Sequence, residues 1–280
     1  TSLLHRIETT DTGVLVTPTL SFDERGHQVN HMTYYCVGWS GNGEKPVDFY
    51  PTAEDFVGEG GNFERPYAIV KNAEGVKAGT KIEGLEAVGG LHFSEITLEP
   101  EEECSYLIFT GITEDIQEIR NLSKTYTTRE KVLEELEKTK AYWQEKVNVA
   151  YHTGDSDFNQ FMHWVSFQPI LRRIYGCSFL PHHDYGKGGR GWRDLWQDCL
   201  ALLIMNPDGV RQMLLDNFAG VRIDGSNATI IGSKQGEFVA DRNNITRVWM
   251  DHGVWPMITT KFYIDQTGDL ELLEKEAAYF

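Results

Sequence analysis

The sequence predicts an α+β protein of more than one domain. Part of a β-sandwich is expected over residues 1–112, a helical linker over 113–150, and a helical domain over 151–280. Three observations carry this. Before residue 112, apolar and polar residues alternate between glycine- and asparagine-rich breaks. The middle of the chain carries a charged helical pattern with one apolar stripe. From Asp155 onward, helical patterns are joined by loops rich in Gly, Trp and Arg.

The alternation predicts strands over Gly13–Leu20, Gln28–Trp39, Arg65–Val70, Leu91–Leu98 and Cys104–Ile112. Ser40–Gly43 and Gly58–Asn62 read as the turns between them. Strands at this spacing need two faces to bury, which a sandwich provides. They are too few for a large sandwich and fit its C-terminal half.

The linker opens on Thr127-Thr128-Arg129-Glu130, which fits a capping box with Thr127 as the cap. Leu133, Leu136, Trp143 and Val147 then form the stripe, while Glu134 and Lys138 stand in i,i+4 relation on a solvated face.

The helical domain begins with Ser156 or Asp157 as a cap for a helix carrying Phe158, Phe161, Met162, Val165, Leu171 and Tyr175, with Pro169 inside it. Further helices are expected over Asp194–Met205, Asp208–Phe218 and Asp251–Gln266. A fifth, capped by Asp269, would run to Phe280. It lacks a C-cap residue, and the chain is expected to continue. Thr1–Arg6 show no signal-peptide pattern and no initiating Met, so that end is read as cut.

Composition narrows the function. Forty per cent of the 280 residues are hydrophobic, enough for a sizeable core, and the net charge is −16. Such a surface repels phosphate backbones and anionic headgroups, so neither nucleic acid nor membrane is an expected partner. A neutral sugar is compatible. Cys36, Cys104, Cys177 and Cys199 form no C-x-x-C pair and sit in apolar or aromatic runs. They read as reduced, mostly buried thiols of a cytoplasmic protein.

Two clusters stand out as chemistry. Tyr185 to Asp198 is a glycine-rich loop (Gly186, Gly188, Gly189, Gly191) leading into Trp192, Arg193, Asp194, Trp196, Gln197 and Asp198. Guanidinium and carboxylate groups bind vicinal hydroxyls in pairs. Trp192 and Trp196 are expected to offer apolar platforms to the C–H face of a pyranose. A helix start with a surface ion pair is the plainer reading of the same residues. The second cluster is Asp241-Arg242-Asn243-Asn244 with Trp249, Asp251, His252 and Trp255. Arg222–Gly232, with Asp224, Ser226, Asn227 and Thr229, reads as a cleft-lining loop or a plain Asx-turn. His182-His183-Asp184 lacks a third ligand, so no metal is expected.

At these residues a resemblance emerges. R-D-L-W-Q-D at Arg193–Asp198 resembles the R-D-x-x-Q-D signature of glycoside hydrolase family ninety-four, which contains cellobiose, cellodextrin, chitobiose and 1,2-β-oligoglucan phosphorylases. Y-I-D-Q-T-G-D at Tyr263–Asp269 resembles the family's Y-I-x-x-T-G-D segment. G-R-G-W-R-D-L-W-Q-D-C-L-A-L-L and R-I-D-G-S-N-A-T are most similar to the 1,2-β-oligoglucan members.

The resemblance implies that the helices open an (α/α)6 toroid. It implies inverting phosphorolysis of β-1,2-glucooligosaccharides, with inorganic phosphate as co-substrate and no cofactor, releasing α-glucose 1-phosphate. Arg193 and Asp198 would grip the sugar before the scissile bond, with Asp194 and Gln197 positioning. The chain has Met250-Asp251-His252 where family members often carry Asp-Asp-His. The family's general acid lies on a W-N-D motif that is absent here, so the catalytic residue is expected beyond residue 280. The remainder of the catalytic domain is therefore an expected partner, and the resemblance adds a homodimer.

Phosphate is already a competent nucleophile, so one carboxylic acid suffices where a hydrolase needs a second to activate water. Two other readings stay open: an inverting hydrolase on a similar toroid, marked by that second carboxylate, and a non-catalytic carbohydrate-binding module.

Overall fold

A computed structural model describes residues 5–18, 32–175, 190–231, 237–239 and 249–280, and structural statements concern these. They form two compact units, divided between residues 138 and 139.

The first unit runs β1 (Arg6–Thr9), β2 (Gly13–Thr17), β3 (Thr33–Ser40), β4 (Asp48–Thr52), α1 (Ala53–Val57), α2 (Tyr67–Val70), β5 (Lys81–Glu83), β6 (Ala87–His92), β7 (Tyr106–Thr113) and α3 (Ile116–Thr125). The unit boundary falls within α4 (Arg129–Lys146). One antiparallel sheet has the order β5-β1-β2-β3-β7, and β4 pairs with β6 in a second.

Period-two alternation sorts the side chains of the larger sheet. Leu15, Val37, Trp39 and Leu107 point to one face and pack with Ile119 of α3. Val14 and Ile7 point to the other, where they meet Phe49 of the second sheet. The sheets approach closely at Gly89, where a Cβ would lie 2.5 Å from that of Cys36. Among the described cysteines, Cys199 is buried, but Cys36 is only partly covered and Cys104 is exposed. Burial was therefore over-expected.

Several sequence expectations need correction here. Arg65–Val70 is not a strand: after Pro66, whose φ is −65°, Tyr67–Val70 make a single helical turn. A short apolar run does not distinguish the two by periodicity. Leu91–Leu98 is extended in the ladder only at its start, since β6 ends at His92. β1, β4 and β5 were not expected. β1 is only four residues long, with Arg6 and Glu8 outward between Ile7 and Thr9. The cap of α4 is Thr128, one residue later than expected, with its hydroxyl accepting from the Lys131 N–H at 3.4 Å.

The second unit contains α5 (Ser156–Tyr175), β8 (Arg190–Gly191), α6 (Trp192–Met205), α7 (Val210–Phe218), β9 (Ile230–Ile231), β10 (Phe238–Val239) and α8 (Val254–Thr267), then a 3-10 turn at Leu270–Glu274. α6 is central, packing on α5, α7 and α8. Its Trp192, Leu195, Trp196, Cys199, Leu202 and Leu203 are the middle of the core, completed by Val210, Leu214 and Tyr263.

α5 is capped by Asp155, whose carboxylate accepts from the N–H groups of Asp157 and Phe158, rather than by Ser156 or Asp157. The expected fifth helix is only the 3-10 turn, with residues 275–280 outside any helix. The Phe280 N–H instead donates to the Val221 carbonyl at 2.9 Å.

The Tyr263–Asp269 segment is a helix stop locked by side chains. Gly268 ends α8 at φ 72°, a left-handed value that favours glycine. Asp269 Oδ2 then accepts from Arg211 Nε at 2.7 Å and from the Tyr263 hydroxyl at 2.9 Å. These two donors hold the Asp269 carboxyl below the usual carboxylate range.

Candidate functional site

The first turn of α6 is placed by its neighbours. β8 pairs with β9 immediately before it, Gly191 opposite Ile230. The Trp192 N–H donates to the Thr229 carbonyl at 3.0 Å, and the Trp192 indole donates to the His252 carbonyl, also at 3.0 Å. Three segments thus converge: the start of α6, the loop before β9, and the turn before α8. The Asp194 carboxylate folds back over Gly191, where any side chain would collide with it.

Arg193 pairs with Asp251. Its Nη2 donates to Oδ1 at 3.0 Å, and its Nε lies 2.6 Å from Oδ2 without the alignment of a hydrogen bond. The Trp255 indole also donates to Oδ2 of that carboxylate, at 3.1 Å. Arg193 first, then Trp255, holds the Asp251 carboxyl below its ordinary value. Both members of the pair are about two-fifths exposed, at 42% and 41%.

His252 is buried beside this pair. Burial is the main cause that pushes its imidazole below the ordinary histidine value; Arg193 adds to it, while Asp251 and Asp194 oppose it. Its Nδ1 lies 3.1 Å from the Asn227 amide nitrogen, which also donates to the Ala228 carbonyl. An amide nitrogen only donates, so Nδ1 accepts and the neutral ring carries its proton on Nε2. The outer face of this corner is the indole of Trp249, 46% exposed and stacked on His252 with centroids 5.9 Å apart.

The sequence reading fails at three positions. Trp192 and Trp196 are 1% and 0% exposed and pack edge to face in the core. Rings with no open face offer no platform to a sugar. Asp198 does not join Arg193. Five residues on a helix separate side chains by about 140° around the axis. Asp198, 5% exposed, turns instead to α5, where Arg172 Nε donates to Oδ2 at 2.8 Å and Oδ1 at 3.1 Å. Arg172 Nη2 also donates to Oδ1.

The other expected residues distribute plainly. Asp194 is exposed and Gln197 half-buried on the same turn. Asp224 makes an Asx-turn, accepting from the Ser226 N–H at 3.0 Å and its hydroxyl at 2.6 Å. Arg172 and Asn227 were not singled out as site residues in their present roles. Asn227 stood in a loop flagged for polarity, but nothing local to Arg172 marks it. Gly186–Gly189, Cys177, His182–Asp184 and Asp241–Asn244 lie outside the described residues. Among the described residues, no cluster of His, Cys, Asp and Glu could hold a metal, and no helix is long and apolar enough to cross a membrane.

This corner can hold a neutral, hydroxyl-bearing ligand. It has an ion pair with exposed edges, an accessible aromatic face and a neutral imidazole. It does not contain a free carboxylic acid in Asp198 or Asp251, since both are clamped by guanidinium groups.

Comparison with known proteins gives the same direction. Residues 142–280 match the family model described as "Glycosyl hydrolase 94 superfamily, catalytic domain". Residues 10–129 match "Glycosyl hydrolase 94, supersandwich domain". The chain is 24% identical over 250 residues to "Cyclic beta-(1,2)-glucan synthase NdvB" of Rhizobium meliloti (strain 1021), covering 87% of the chain and 8% of that protein. It is 26% identical over 239 residues to "3-O-beta-D-glucopyranosyl-beta-D-glucuronide phosphorylase" of Paenibacillus borealis, covering 84% and 29% respectively. The chain therefore spans less than a third of either relative.

Proposed function

The chain belongs to the glycosyl hydrolase 94 superfamily, and from that premise we propose that it is part of an inverting phosphorylase of β-1,2-glucooligosaccharides. One relative is named as a 3-O-beta-D-glucopyranosyl-beta-D-glucuronide phosphorylase, which supports phosphorolysis, and the other is named for cyclic β-(1,2)-glucan, which supports the linkage. In the reaction, phosphate attacks the anomeric carbon as the glycosidic oxygen takes a proton. α-Glucose 1-phosphate leaves with the glucan shortened by one unit.

The observation that carries this reading is the Arg193–Asp251 pair beside the exposed Trp249 ring. Charged groups held in fixed positions bind hydroxyls without reorganising when the sugar arrives. Trp249 takes the stacking role first sought in Trp192 and Trp196. Asp194 and Gln197 extend the polar edge. Asp198 acts through α5, holding Arg172 and the helix pair in place.

A general acid needs a raised pKa, and Asp251 is pushed the other way. We therefore assign proton donation to a carboxylic acid outside these residues, in the remainder of the catalytic domain. Exposed Phe161, Trp164, Met257 and Phe262 on α5 and α8 are apolar surface suited to such cover, within an (α/α)6 toroid. Cys36 and Cys104, free thiols among the described residues, fit the cytoplasmic location we propose.

The test is release of glucose 1-phosphate from a β-1,2-glucooligosaccharide by the intact enzyme. Release that requires inorganic phosphate supports the proposal. Free glucose formed equally without phosphate selects the hydrolase, and binding with no cleavage selects the carbohydrate-binding module.

A further inference from the structure

The first unit contains an open groove of about 460 Å³ that the proposed chemistry does not use. It lies where β3 ends and β7 begins. Ser40 pairs with Tyr106 across the ladder, and the Gly41 N–H donates to the Ser105 carbonyl at 2.7 Å. The floor is therefore fixed by the sheet. A side chain on Gly41 would run into the Ser105 hydroxyl.

One wall is aromatic. The rings of Phe93 and Tyr106 pack with centroids 4.5 Å apart, and Tyr106 is 41% exposed. Ile96 and Leu98 add apolar surface. The rest is polar but small: Asn42, Ser94, Thr97 and Thr128 line it. Glu44, Glu102, Glu103 and Glu130 face a single Arg129, so the groove repels anions. Phosphate and nucleotides are thereby disfavoured.

We propose that this groove is a second carbohydrate site that binds two or so hexose units of a neutral glucan through Phe93, Tyr106 and Asn42. The volume lies in the range of small-ligand pockets. Aromatic rings match the C–H faces of pyranoses, and carboxylate, amide and hydroxyl groups match their hydroxyl edges. Choice of a glucan as the ligand rests on the proposed function, whereas the existence of the groove does not.

The experiment measures binding of β-1,2-glucooligosaccharides to the intact protein carrying Arg193→Ala, so that the groove is read alone. Millimolar binding is expected to persist and to weaken at least tenfold on adding Tyr106→Ala, with Asn42→Ala as a second, milder variant. Loss of all binding in Arg193→Ala overturns the proposal. So does residual binding that neither variant changes. Binding of spermidine but of no glucooligosaccharide reassigns the groove to cations and also overturns it. Binding of a β-1,3- or β-1,4-linked oligosaccharide in place of the β-1,2 form, still lost in Tyr106→Ala, preserves the site and rejects the β-1,2 substrate assignment.

Discussion

Arg193 and Asp251 are 58 residues apart in sequence and form one ion pair, with Nη2 3.0 Å from Oδ1. The pair ties the first turn of α6 to the turn that leads into α8. Its exposed edges leave hydrogen-bonding capacity for a ligand.

Arg193→Ala removes the donor that most strongly depresses Asp251. The Asp251 titration, followed by NMR, should move up toward the ordinary aspartate value. Phosphorolysis should fall roughly 30- to 1000-fold, with Arg193→Lys recovering only part, because a single ammonium cannot reproduce the fork. An unchanged rate would remove Arg193 from the proposed sugar site.

Asp198→Asn tests the structural role of the Arg172 pair. The Asp198 side chain is almost wholly buried and Arg172 is 30% exposed, so the uncompensated guanidinium can partly reach water. The expected loss is about 2–3 kcal/mol in urea denaturation, below the full cost of breaking a buried pair. A fully stable variant would show that the pair does not hold α5 to α6.

Two acid steps in stability follow from depressed groups. His252 binds its proton less readily folded than unfolded, so stability is full above about pH 6.5 and falls as pH drops from there toward the lowered folded value. Asp251 and Asp269 together add a second loss that begins near pH 4 and is complete once pH has fallen through their depressed values. The groups facing His252 in these shifts are Asp251, Arg193 and Asp194. In His252→Gln the first step should vanish and the second remain. Denaturation midpoints across pH 3–8 check this, and a first step that survives in His252→Gln belongs to another group.

Gly220→Ala should overpack the core. Its Cβ would lie 2.7 Å from the Phe238 ring and 2.8 Å from that of Trp192, neither of which can bend away. A stability loss of about 1–3 kcal/mol is expected in thermal melts. A neutral result would mean that the two rings shift freely.

The fold was legible where periodicity runs long. α6 was readable from its apolar stripe, as was β7 from its alternation. The same stripe held the warning about Trp192 and Trp196. Spaced four apart, with Leu195, Cys199, Leu202 and Leu203 on one side, they already lay on the core face. Composition alone could not separate a core from a cleft. The 140° between Arg193 and Asp198 was also computable, but a shared motif suggested shared direction. What no local pattern contains is pairing across distance. Asp251 was flagged, yet not as the partner of Arg193. Arg172, in the last turn of α5, has no mark until α6 lies against it.

The double use of Trp192, its main-chain N–H on Thr229 and its indole on His252, has a consequence for how the molecule is made. The indole contact closes a loop of 60 residues, whose ordering must precede the reward of the contact. The proposed sugar-binding corner is then expected among the last parts to form during folding. A ligand that recognises it binds only finished molecules and draws the population toward them by mass action. If the corner binds sugar as proposed, retention on an oligosaccharide matrix would thus sort correctly folded chains from compact intermediates.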